Sequence, residues 1–88
     1  MKNKCTILIP ALDPPEKFKD YINELVASGF TDILVVDDGS AAKDIFTEIA
    51  AHPQVTVLTH EKNMGKGKAL RTGMEYYKKN RQFSEYGG

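Results

Sequence analysis

Apolar positions along this 88-residue chain fall into two rhythms. Three short unbroken runs, Thr6-Ile7-Leu8-Ile9, Ile33-Leu34-Val35-Val36 and Val55-Thr56-Val57-Leu58, are rich in β-branched residues and predict strands. Continuous runs of this kind suit parallel strands covered on both faces. Elsewhere the spacing lengthens to that of helices. Asp13-Pro14-Pro15-Glu16 predicts a helix start, with Asp13 as cap, Pro14 at the first helical position and Glu16 at capping-box spacing. That helix sets Phe18, Ile22, Leu25 and Val26 on one face and stops at Gly29. A second helix, capped by Ser40, carries Ile45, Phe46, Ile49 and Ala50, and His52-Pro53 ends it. A third follows the Asn63-Met64-Gly65-Lys66-Gly67 loop, with Ala69, Leu70, Gly73, Met74 and Tyr77 along one stripe.

The order β-α-β-α-β-α predicts an α/β fold: a three-stranded parallel, Rossmann-like half-sheet with helices on both faces. The stretch from Asn80 to Gly88 has no period and reads as a tail. The first strand is expected at a sheet edge, and an unpaired apolar edge is a template for another chain, so a homodimer is expected.

Twelve basic residues balance twelve acidic ones, which argues against a nucleic-acid binder. The single cysteine, Cys5, excludes an internal disulfide framework and reads as a small packed hydrophobe. The longest apolar run, Cys5 to Leu12, contains Pro10 and is too short for a membrane span. A soluble, cytoplasmic chain is expected.

Ligands of open parallel sheets bind beyond the carboxyl ends of the strands. Three loops meet there: Pro10-Ala11-Leu12-Asp13, Asp37-Asp38-Gly39-Ser40, and His60 to Lys68. The adjacent carboxylates can accept from ribose hydroxyls or base N–H groups, although Asp-Asp-Gly-Ser is equally good turn chemistry. Gly65 and Gly67 allow close backbone approach, and Lys66 and Lys68 in a first helical turn oppose the helix dipole unless an anion binds. The bland alternative is a solvated basic face with a glycine turn. Neither the Walker A spacing nor the dinucleotide Gly-x-Gly-x-x-Gly after the first strand is present. His52 and His60 read as surface residues, with no metal-ligand spacing around them.

Taken in order, Ile9-Pro10-Ala11-Leu12, Val35-Val36-Asp37-Asp38-Gly39-Ser40 and Asn63-Met64-Gly65-Lys66-Gly67-Lys68-Ala69-Leu70 with Gly73 resemble the amino-terminal half of a family 2 glycosyltransferase. The resemblance runs from about Lys4 to Tyr77 and implies a truncated GT-A nucleotide-diphosphosugar-binding fold. Residues 1–79 would form the nucleotide-sugar-binding half-domain, and 80–88 would lie where the family's fourth strand and metal motif begin. It implies that Pro10, Ala11 and Leu12 line base and ribose, with Asp13 near the nucleotide. Asp38, with Asp37 beside it, would accept from the base of a UDP- or GDP-type sugar donor. Lys66 and Lys68 would approach the base or diphosphate, with Gly65 and Gly67 giving the close approach. The family's Asp-x-Asp motif, which holds a magnesium or manganese ion, has no counterpart in Phe83 to Gly88. The resemblance therefore implies a divalent cation for the complete enzyme, none held by this chain alone, and little transfer by it unaided. The rival expectations are a non-catalytic nucleotide-binding or self-associating α/β module, and half of a flavodoxin-type domain.

Overall fold

A computed structural model describes residues 6–80. Its elements run β1 (Ile7–Ala11), α1 (Lys17–Ala27), β2 (Ile33–Asp37), α2 (Asp44–Ile49), β3 (Val55–Thr59) and α3 (Lys66–Asn80). The three strands form one parallel sheet in the order β1-β2-β3, with Ile7, Ile33 and Val55 in register. The predicted α/β half-sheet is the fold observed.

Alternation along the strands sorts the core into two layers. Ile7, Ile9 and Ala11 of β1, Ile33 and Val35 of β2, and Val55 and Val57 of β3 all face one side. They pack there with Ile22, Phe46 and Ile49 of α1 and α2, and Phe18, Leu25 and Val26 close the layer. The Phe18 and Phe46 rings, 6.3 Å apart and tilted, join the two helices. The even positions Leu34 and Val36 are buried on the other face, where α3 packs against β1 and β2 with Ala69 fully buried. There Gly73 brings the helix backbone so close to Leu8 that an added Cβ would meet that side chain. Ile22 is wholly enclosed, and truncating it to alanine would cost about 2–5 kcal/mol.

Several boundaries depart from the sequence reading. β1 runs through Pro10 to Ala11, beyond the predicted end at Ile9. Proline is tolerated because β1 is a sheet edge. Ile7 N–H donates to Asp32 C=O and Ala11 C=O accepts from Asp38 N–H, so the odd positions bond toward β2. Pro10 therefore faces the open side, where its missing N–H costs no ladder bond. Within Ile7–Ala11 that edge presents one N–H, from Leu8.

Asp13 does not cap α1: the helix starts four residues later, at Lys17, and Glu16 at its N-cap makes no side-chain cap bond. Ser40 likewise does not cap α2, whose N-cap is Lys43. Both side chains are instead spent on joining loops. The stop at Gly29 is as predicted: it takes φ +99°, its N–H donates to Val26 C=O, and Phe30 N–H donates to Leu25 C=O, a Schellman ending. Met74, predicted on the buried stripe of α3, is 56% exposed, because the helix rests on the sheet through Ala69 and Gly73. Ala50 is exposed as well. Among the described residues no helix is long and apolar enough to cross a membrane. The expectations for Cys5 and for residues 81–88 of the tail lie outside the described residues; Asn80 closes α3.

Candidate functional site

The strands end level with one another, Ala11 opposite Asp37 and Asp37 opposite Thr59. The ladder continues one step further, as Asp38 N–H donates to Ala11 C=O and His60 N–H donates to Asp37 C=O, both at 2.8 Å. The loops thus leave a straight carboxyl edge. A cleft of about 360 Å³ opens on it, lined by Pro10, Ala11, Leu12, Asp38, Asn63, Gly65 and Lys66. Leu12 keeps 45% of its surface exposed there.

The two aspartates differ because strand alternation sends them to opposite faces. Asp37 shares its face with Ile33 and Val35 and turns toward α2. It is fully buried; its Oδ1 accepts from Ser40 N–H at 2.8 Å, and its Oδ2 pairs with Lys43 Nζ at 2.9 Å. Ser40 Oγ in turn accepts from Asp13 N–H at 2.7 Å, and Asp13 Oδ1 accepts from Ala41 N–H at 2.9 Å. Asp13 makes this bridge in the left-handed region, at φ +46°, which a non-glycine residue occupies only when its surroundings compensate. The first and second loops are therefore tied together beside the cleft.

Asp38 turns the other way, toward α3. Its Oδ1 accepts from His60 Nδ1–H at 2.8 Å and from Met64 N–H at 2.9 Å, and its Oδ2 from Gly65 N–H at 3.0 Å. The His60 bond and the two backbone donors hold its carboxyl below the ordinary aspartate range, against the opposing effect of burial. A carboxylate only accepts, so the proton lies on His60 Nδ1; in the neutral ring Nε2 then accepts from Thr72 Oγ1–H at 2.9 Å. Gly39, at φ +86°, lets the third loop press onto the second: a Cβ there would lie 2.5 Å from Asn63 N and from Lys62 C. Gly65 adopts φ +97° and its C=O accepts from Ala69 N–H, the start of the α3 ladder. The N–H groups of Lys66, Gly67 and Lys68 precede that ladder.

Of the residues singled out in the sequence, Pro10, Ala11, Leu12, Asp38, Gly65 and Lys66 meet around one cleft. Asp13, Asp37 and Lys68 stand outside its wall. Asp13 and Asp37 serve the loop junction, while Lys68 is exposed on the first turn of α3. Asn63 lines the cleft without having been assigned a role. His60 was misread as a surface residue; its side chain is 9% exposed and sits at the centre of the third-loop network. Aligning the strand ends places His60 beside Asp38, as Thr59 is beside Asp37, and that register was a usable signal.

A divalent ion fits poorly with the described residues. They contain no group of three or more His, Cys, Asp or Glu side chains able to hold a metal, and Asp37 and Asp38 are taken up by Ser40, Lys43, His60 and backbone donors.

The family model for glycosyl transferase family 2 matches residues 6–80. An uncharacterized protein of Methanocaldococcus jannaschii is 35% identical over 74 residues, covering 84% of this chain and 30% of that protein. A dolichyl-phosphate beta-glucosyltransferase of Trichomonas vaginalis is 36% identical over 83 residues, covering 77% of this chain and 24% of that protein. The chain thus spans less than a third of the length of these curated relatives. No solved structure matches it.

Proposed function

The chain belongs to glycosyl transferase family 2, and on that premise we propose that its cleft binds the nucleoside diphosphate of a sugar donor. The observation that carries the reading is the meeting of an apolar wall, Pro10 to Leu12, with the polar start of α3 across a single cleft. Base and ribose take the apolar wall. The diphosphate takes the Lys66 side and the unladdered N–H groups that follow Gly65, where the helix dipole favours an anion. Asp38 Oδ2 accepts from Gly65 N–H, and a carboxylate oxygen has capacity for a second donor, so it can take a base N–H as well.

The role of the cleft is donor binding, and the reaction we assign to the whole protein is glycosyl transfer from that donor to an acceptor. The first acceptor class to test is a polyprenyl-type lipid phosphate, after the dolichyl phosphate in the name of the Trichomonas relative. Among the described residues, those around the cleft include no cluster of His, Cys, Asp or Glu side chains that would hold a divalent ion.

The test is a titration of the labelled chain with uridine diphosphate, guanosine diphosphate and uridine, with and without magnesium, followed by amide chemical shifts. Saturable shifts at Leu12, Asp38 and Lys66 are expected. Lys66→Ala should weaken the diphosphates by about tenfold and uridine much less. Absence of shifts up to millimolar nucleotide would refute donor binding, and equal losses for uridine and its diphosphate would refute the Lys66 assignment.

A further inference from the structure

His60 does not line the cleft, yet it holds together three of the pieces that shape it. It follows β3 directly, bonds Asp38 after β2 through Nδ1, and bonds Thr72 on the second turn of α3 through Nε2. The side chains of His60 and Asp38 are 9% and 5% exposed, so these bonds are shielded from competing water. Asp38 in turn receives the N–H groups of Met64 and Gly65. The plane of its carboxylate therefore sets the path of the loop that delivers Asn63, Gly65 and Lys66 to the cleft. Met64 and Gly65 lie on a loop, whereas His60 follows the strand β3, so the imidazole on Oδ1 ties the carboxylate to the sheet and holds it where both loop donors reach it.

We infer that His60 is a positioning residue of the donor cleft, acting on the nucleotide through Asp38. The inference rests on the donor-binding reading above. His60 has two effects on that site. It fixes the carboxylate so that Met64 and Gly65 stay docked, and through Thr72 it sets the first turns of α3, with Lys66, relative to Pro10 to Leu12. The network requires the tautomer with the proton on Nδ1.

The experiment compares the wild-type chain with His60→Ala, His60→Asn and Thr72→Val, using two readouts. The first, without nucleotide, is amide hydrogen exchange at Met64 and Gly65 relative to Leu34 to Val36 in the central strand. The second is the affinity for uridine diphosphate. With His60→Ala, exchange at Met64 and Gly65 should rise about tenfold while the strand amides keep their protection, and the diphosphate should bind about tenfold more weakly. His60→Asn retains a side-chain N–H for Asp38 and should recover most of both. Thr72→Val should fall between His60→Ala and wild type. In the wild-type chain, nitrogen shifts of the imidazole should report Nδ1 protonated.

Uniform loss of protection across loop and strand in His60→Ala, with His60→Asn no better, would reduce His60 to a general packing residue and overturn the inference. Wild-type binding of diphosphate with unchanged affinity in His60→Ala would overturn it while sparing the donor reading. A wild-type chain that binds no diphosphate would overturn the donor reading and this inference with it.

Discussion

Among the described residues three glycines have positive φ, and they make an internal experiment on what the cleft requires of its backbone. Gly29 at +99° and Gly65 at +97° have open space where a Cβ would go. Gly39 at +86° does not: its Cβ would lie 2.5 Å from Asn63 N, 2.5 Å from Lys62 C and 3.0 Å from Lys62 Cα. All three of those atoms are backbone, so no side chain can swing away. Alanine at any of the three sites meets the left-handed penalty of about 1–2 kcal/mol. It also lowers the entropy of the unfolded chain, which returns about 0.4–1 kcal/mol at each site and so cancels in their comparison. Gly29→Ala and Gly65→Ala should therefore each lose about 1 kcal/mol or less. Gly39→Ala adds the cost of forcing two loops apart, about 1–3 kcal/mol by analogy with overpacked cores. Its loss should come to about 1–4 kcal/mol, which at the upper end is a large fraction of the roughly 4–13 kcal/mol expected for a domain of this length. Urea unfolding of the four chains, fitted with a common slope, measures these differences directly. The loop displaced in Gly39→Ala carries Asn63, Gly65 and Lys66, so nucleotide affinity should fall with stability, whereas Gly29→Ala should leave affinity intact. If Gly39→Ala proved no more destabilising than Gly29→Ala, the close contact between the second and third loops would not exist, and the cleft would have to be redrawn.

Two further outcomes follow from particular contacts. The carboxyl of Asp38 is held below its ordinary value of 3.8, chiefly by His60 and then by Met64 N–H. Its contribution to stability is therefore fully present above that value and is lost as pH falls below it toward the folded-state value. Wild-type chain should lose more stability than Asp38→Asn over that acid window, in urea melts taken at stepped pH; parallel acid limbs would show that the carboxylate is not held in the folded state. At the packing of α3 on β1, Gly73→Ala gains about 1 kcal/mol of helix propensity but forces Leu8 aside at a cost of about 1–3 kcal/mol. In a Leu8→Ala background the same change should become stabilising, and a thermal-melt double-mutant cycle with no coupling would contradict the contact.

The three apolar runs and their helical spacers determined the element order and the parallel sheet, because burial on both faces demands unbroken hydrophobic strands and each crossover needs a helix. The same reasoning puts the loops after the strands on a single edge, where Pro10 to Leu12, Asp38, Gly65 and Lys66 line one cleft. The Schellman stop at Gly29 was legible for a local reason: its signal lies within one turn of chain. Ser40 and Asp13 were misassigned because capping propensity is also local, while their hydrogen bonds to one another's loops span 27 and 28 residues. Only the tertiary structure decided that Asp37 is a buried loop tie, that Asp38 anchors the third loop, and that His60 is its partner. Those roles depend on which face of the sheet each carboxylate takes and on strand register, through which residues 22 positions apart in the chain come within 2.8 Å.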